Sequence, residues 1–195
     1  MKLYFASGNE HKKKEMEELF GPGYQIVLPK EEGIEFDVDE NGESFIENAL
    51  IKAEALYSIV KAPVISDDSG LCVDALGKGP GIHTARFGDT AERKLSSKEK
   101  YMLLLEKLEG VENRRACFVS AVVLILSENR RYIVQEEALG KIAEHPSEGN
   151  GGFGYDPVFL SDEAGCIFAD LPDTDKNLYS HRGKAVRKIR KLIEG

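Results

Sequence analysis

The sequence is poor in cysteine and never spaces it as a metal site or a crosslinked framework would require. Its three cysteines, Cys72, Cys117 and Cys166, are odd in number, far apart along the chain and form no C-x-x-C. That argues against a disulfide scaffold and against a thiolate zinc site. Each thiol reads as a small buried apolar residue. No apolar run approaches membrane-spanning length, so no membrane partner is expected. The opening "MKLYFASGNE" turns polar too soon for a secretory leader, and the expectation is a reduced, cytoplasmic protein. Surplus positive charge is missing too: the net charge is -8 and the pI about 5.2. A general nucleic-acid binder would carry the opposite balance, but a small anion held by a few local cations remains compatible. Internal repeats, low-complexity tracts and linkers are also absent. What is present, 195 residues at 42% hydrophobic and 31% charged, describes one globular domain over residues 1–195, whole or in two lobes.

Strands and helices alternate at the start. "KLYFA" reads as a strand, "EHKKKEMEELF" as a charged helix and "YQIVLP" as a second strand. A helix follows from Phe45 to about Val60, and then a strand "PVISD" that stops at the acid pair Asp67–Asp68, with Gly70 breaking the pattern. "LCVDAL" reads as a further short strand and "GKGPGIHTARFG" as a Gly/Pro-rich loop. "SSKEKYMLLLEKLEG" is an amphipathic helix with Gly110 as its C-cap. "RACFVSAVVLILS" and "RYIVQEEALGKI", joined by "ENR", form a hairpin. "PSEGNGGFGYDPVFL" is a glycine-dense loop entering a strand, and the tail "DKNLYSHRGKAVRKIRKLIEG" is helical and basic. Together these predict an α/β protein with a mixed sheet covered by helices.

Several segments carry side chains suited to chemistry. Ser44 and Glu47 form a capping box for the helix at Phe45. At about 100° per residue, Phe45, Ile46, Ala49, Leu50, Ala53, Leu56, Tyr57 and Val60 share one apolar arc, with Asn48 and Lys52 at its edge. Lys52 either is covered, which demands an anionic partner, or snorkels out along its stem. The preceding loop "DVDENGES" supplies acids at Asp37, Asp39, Glu40 and Glu43, either a solvated surface or hard oxygen ligands suited to magnesium. In "SGNEHK" a strand turns into a helix whose N–H groups, with Lys12, could hold phosphate, or which is simply capped by Ser7 or Asn9. Phe153 stands among glycines and could stack on a base, or the segment is a turn capped by Asp156. Lys176, His181 and Arg182 offer donors to a base carbonyl or phosphate, or lie on a basic surface helix.

"SGNEHK", "FIENALIKA", "SDDSGL", "GGFGYDPVF" and "SHRGKA", in this order from Ser7 to Ala185, resemble the inosine triphosphate pyrophosphatase family. The resemblance implies a two-lobed fold with a long central mixed sheet, helices on its faces and an active-site cleft between the lobes. It implies a homodimer. It further implies cleavage of non-canonical purine nucleoside triphosphates (ITP, dITP and XTP) to monophosphate and pyrophosphate with Mg2+. Carried onto this chain, Ser7, Gly8, Asn9, Glu10, His11 and Lys12 cradle phosphate, with Glu10 and His11 contributing backbone contacts. Glu40 and Asp68 hold the cation, Asp68 is also the base, Lys52 binds phosphate, and Ser69 lies in the same shell. Phe153, Gly154, Tyr155, Asp156, Lys176, His181 and Arg182 form the nucleoside pocket. In this scheme water attacks the α-phosphorus, and the partner of a covered Lys52 is the substrate. Donors in the pocket favour a 6-oxo purine over adenine. Asp67 is left as a second-shell or alternate ligand, or a cap for the turn at Gly70. Three rivals stay open: a Maf-like pyrophosphatase acting on pyrimidine triphosphates, a non-catalytic nucleotide sensor, and an aspartyl-phosphate phosphatase releasing orthophosphate.

Overall fold

A computed structural model describes residues 1–149 and 151–195; Asn150, in the glycine-dense loop, lies outside the described residues. Six strands form one mixed sheet in the order β2-β1-β3-β4-β5-β6. These are β1 (Lys2–Phe5), β2 (Gln25–Val27), β3 (Val64–Val73), β4 (Arg115–Ser127), β5 (Arg130–Ile142) and β6 (Phe159–Ser161). The helices are α1 (Glu10–Phe20), α2 (Phe45–Val60), α3 (Ser97–Lys107), α4 (Asp173–Tyr179) and α5 (His181–Glu194). β1 pairs in parallel with β2 and β3, whereas β5 and β6 are antiparallel. Parallel neighbours need crossovers, and α1 and α2 supply them. The β4–β5 hairpin turns at Glu128 and Asn129, as the sequence predicts.

Three boundaries differ from expectation. β3 does not stop at the acid pair. It runs through Asp67, Asp68 and the buried Gly70 to Val73, absorbing the start of the predicted "LCVDAL" strand. Helix α3 ends at Lys107, with Leu108 and not Gly110 as its C-cap. The basic tail is two helices, because Ser180 adopts an extended conformation between α4 and α5.

The chain divides into two compact units. The first comprises Met1–Ser69, Ser120–Glu136 and Arg182–Gly195. Its core joins Leu3 and Phe5 of β1, Met16 and Phe20 of α1, Ile65, Val122 and Leu124 of the sheet, and Val186 and Ile189 of α5. The second comprises Gly70–Val119 and Glu137–His181. Its core is aromatic: Phe118 lies 4.6 Å from Phe159, and Phe159 lies 5.0 Å from Phe168, centroid to centroid. None of the cysteines is fully buried; all three are partly exposed, against the expectation that each is a buried apolar filler.

Candidate functional site

In the first unit, β3 presents its two acids to opposite faces, as strand alternation requires. Asp68 receives Lys52 Nζ on Oδ1 at 2.7 Å, and the same ammonium lies 2.8 Å from Glu40 Oε2. Lys52 is therefore covered, at 7% exposure, and does not snorkel. Its anionic partners here are these two carboxylates. The helix explains the placement. The buried stripe of α2 is Phe45, Asn48, Ala49, Lys52, Ala53 and Leu56, rotated from the predicted arc toward its polar edge. Asn48 Oδ1 accepts from Gly42 N at 2.9 Å, and Glu47 accepts from Glu43 N. These bonds pin the acidic loop to the first turn of α2. Of its four acids, Glu40 is the one that reaches Lys52.

The electrostatics separate the two aspartates. Burial pushes the Asp68 carboxyl up to about 6, although Lys52 pulls the other way. Its Oδ2 is buried with no hydrogen-bond partner. Burial also opposes ionisation of Asp67, but Arg182 and Lys12 outweigh it and hold that carboxyl well below the usual range. Asp67 Oδ2 receives Lys12 Nζ at 2.8 Å and Arg182 Nη2 at 3.0 Å. Its Oδ1 receives the Ser120 hydroxyl at 2.5 Å. Ser69 donates to Asp67 and accepts from Arg182 at 2.9 Å. Asp67 is thus the anion of a buried network, and it caps no turn at Gly70.

Arg182 also donates to Glu15 of α1, so its guanidinium binds two carboxylates of the first unit. Glu15 and Ser120 escaped the sequence reading. A signal for Glu15 existed: Lys12, Glu15, Met16 and Leu19 follow i, i+3, i+4, i+7 spacing, which puts two charges on the apolar face of α1.

The start of α1 is capped by its own side chains. Asn9 Oδ1 accepts from His11 N and Lys12 N at 3.0 and 3.2 Å, and Ser7 Oγ accepts from Asn9 N at 3.1 Å. These amides meet the side chains of Asn9 and Ser7, the capped alternative that the sequence offers. Glu10 and His11 are exposed, and Glu10 pairs with Lys30. Gly8 has open space where a Cβ would stand. Lys12, in contrast, turns inward. Burial lowers its pKa, and Asp67 offsets this only in part.

In the second unit, "GGFGYDP" folds around Asp156. Its Oδ2 accepts from Phe153 N at 2.7 Å and from Lys176 Nζ at 2.8 Å, with both charged groups nearly fully buried. Lys176 Nζ also lies 5.1 Å from the Phe153 ring centroid, within cation–π range. His181 stacks on Phe118 at 4.8 Å and 11°. Gly154 takes a positive φ of 65°. The Tyr155 hydroxyl donates to Thr84 O at 3.2 Å. Thr84 in turn accepts from Leu71 N at 2.8 Å and donates to Gly81 O at 2.6 Å.

Gly152 is required here, since its φ is 68° and a Cβ would collide with the Asp156 carboxylate. Gly152→Ala should displace Phe153 and Asp156 and cost about 1–3 kcal/mol of stability, which urea unfolding checks.

The chain matches the model of the Ham1 family over residues 3–192. A dITP/XTP pyrophosphatase of Treponema denticola is 53% identical over 195 residues, covering 100% of both chains. The dITP/XTP pyrophosphatase of Treponema pallidum (strain Nichols) is 43% identical over 200 residues, covering 99% of this chain and 71% of its own. Among solved structures, the Staphylococcus aureus Ham1 protein superposes with a TM-score of 0.86 at 33% identity, covering 100% of this chain and 99% of that one. The nucleoside-triphosphatase / dITP/XTP pyrophosphatase of Mycobacterium abscessus superposes with a TM-score of 0.74 at 36% identity, covering 97% and 98%.

Proposed function

The chain belongs to the Ham1 family, and on that premise we propose that it hydrolyses ITP, dITP and XTP to the monophosphate and pyrophosphate. The observation that carries the reading is Asp68, a buried carboxyl raised toward neutrality with one oxygen unpartnered and the other held by Lys52. A carboxyl poised near the working pH is suited to take a proton from water. Asp68 is assigned as the base for water attacking the α-phosphorus.

The residues present fit a hard divalent cation. The unpartnered Asp68 Oδ2 is an oxygen donor, and Glu40 reaches the ammonium that Asp68 also holds. Two carboxylates with phosphate oxygens are a usual magnesium set. Glu40 and Asp68 would hold Mg2+, which when bound neutralises phosphate charge and helps the pyrophosphate leave. Lys52 has three N–H donors. Two meet Glu40 and Asp68, and the third is assigned to a phosphate oxygen. Lys12 and the Ser7–Lys12 turn are assigned to the same phosphates, with Asn9 exchanging its amide contacts for them. Ser69, held by Asp67 and Arg182, is assigned to the shell around the phosphates, and Arg182, oriented by Asp67 and Glu15, is assigned to the nucleoside.

Phe153 is assigned as the stacking surface for the base, within the segment Phe153–Asp156. Lys176 and His181 are assigned as donors to a 6-oxo purine. Adenine presents an amine at that position, and buried donors facing it would lose their partners. Purified protein with magnesium should therefore release pyrophosphate from ITP and XTP at least about 100-fold faster than from ATP. Equal rates on ATP would end the selectivity assignment, and orthophosphate as the product would end the pyrophosphatase assignment.

The same reading includes a single two-lobed domain over residues 1–195, a cytoplasmic location and a homodimer. Light scattering should give twice the 21.6 kDa chain mass.

A further inference from the structure

Asn48 is a polar side chain on the buried stripe of α2, one turn before Lys52 and 2% exposed. A buried amide costs stability unless it is hydrogen-bonded. Its bond goes to the acidic loop, where Asn48 Oδ1 accepts from Gly42 N at 2.9 Å. One residue on in the loop and one residue back in the helix, Glu47 Oε2 accepts from Glu43 N at 2.6 Å. The loop therefore runs antiparallel to the start of α2. Glu40 lies two residues before Gly42, and Lys52 lies four residues after Asn48. Their side chains meet at 2.8 Å. Two residues of chain span about 7 Å at full extension, and four helical residues rise about 6 Å. Seating Gly42 over Asn48 thus sets Glu40 beside Lys52. Asn41 N also donates to Asp39 O at 3.1 Å, which puts Glu40 at the apex of a three-residue turn. All of these residues belong to the first unit.

The seat itself demands glycine. A Cβ on Gly42 would stand 2.7 Å from Glu47 Cβ and 2.8 Å from Asn48 Oδ1. Both atoms belong to the side chains that hold the loop, so any larger residue pushes the loop off its own anchors. The loop carries Asp37, Asp39 and Glu43 besides Glu40, and composition does not choose among the four. The register of the loop on α2 does. We propose that Asn48 and Gly42 are positioning residues for the Glu40 carboxylate, selecting it from the four loop acids as the one delivered to the cation beside Asp68. The inference rests on the reading above that Glu40 and Asp68 hold Mg2+. In this role Asn48 touches neither cation nor nucleotide; it acts through the loop backbone. Groups that orient a metal ligand in this way typically account for about 10–100-fold in metal affinity.

The test titrates Mn2+ alone into the nucleotide-free full chain and follows binding by calorimetry or by loss of the free-ion electron paramagnetic resonance signal. Asn48→Ala and Gly42→Ala are each expected to weaken binding about 10–100-fold, while circular dichroism stays that of the wild type. Glu40→Gln is expected to weaken it at least as much. A double-mutant cycle separates positioning from general damage. Because Asn48 acts through Glu40, adding Asn48→Ala to Glu40→Gln should cost no further affinity; losses that multiply would overturn the proposal. Full affinity in both Asn48→Ala and Gly42→Ala, with Glu40→Gln impaired, would strike the positioning role and leave Glu40 as a ligand. Full affinity in Glu40→Gln, or a wild type that takes up no Mn2+, would instead remove the cation assignment and the proposal with it. If Asn48→Ala fails to fold, Gly42→Ala combined with Glu40→Gln completes the same cycle.

Discussion

Asp68→Asn is expected to lower kcat on ITP by about 10²–10⁴-fold, the usual worth of a positioned base, while the chain stays folded and still binds nucleotide. The amide keeps the shape and can still accept from Lys52, but it cannot take a proton. The same variant carries a pH signature. The Asp68 pKa rises on folding from 3.8 to about 6, so the native state binds more protons than the unfolded state between those values. A raised carboxyl therefore lowers stability as pH rises through that window. In metal-free buffer, the stability of Asp68→Asn relative to the wild type should grow by about 2–3 kcal/mol from pH 4 to 6.5. Lys52 is charged throughout that range, so its altered pairing adds a constant and no slope, whereas Glu40, held low in part through its hydrogen bond to Asp68, shifts with the substitution and contributes to the same slope. Urea unfolding at several pH values reads the difference. A flat difference would mean that Asp68 is ionised in the fold at pH 4, and a variant retaining full turnover would remove its catalytic assignment.

Asp67→Ala should fail in a different way. Asp67 is 1% exposed and holds Lys12 and Arg182 together. Without it two buried cations face each other, with Glu15 left to balance Arg182. Removing one partner from such a group costs about 3–5 kcal/mol. This loss should be present at pH 7 and shrink in strong acid, because the depressed Asp67 carboxyl contributes its stability above its ordinary pKa and loses it as pH falls. Chemical denaturation of Asp67→Ala beside Asp68→Asn should separate a folding residue from a reacting one. Equal stability losses in the two variants would contradict that division.

The sequence carried the parts of this site that depend on local pattern. The Ser44 cap and the periodicity after it located α2 to its ends, and with it a lysine on a covered face, although Glu47 accepts from Glu43 N and so leaves the predicted capping box half formed. Strand alternation separated Asp67 from Asp68 before any partner was visible. What stayed hidden depended on distance along the chain. Asp67 meets Ser120 and Arg182 across separations of 53 and 115 residues, and no short pattern encodes those meetings. Gly70 misled because a glycine after two acids has the composition of a turn. Here it is buried within β3, and the amide of Leu71 is satisfied by Thr84. Glu15 was masked by the lysines around it, which give α1 the composition of a solvated helix. Cys72 and Cys117 are far apart in sequence, and their place on neighbouring strands emerges only from the strand order.

The most direct test of the account is hydrolysis of ITP in water enriched in oxygen-18, with mass analysis of both products. Attack at the α-phosphorus predicts one heavy oxygen in the monophosphate and none in pyrophosphate. Label in the pyrophosphate, or release of labelled orthophosphate, would contradict it.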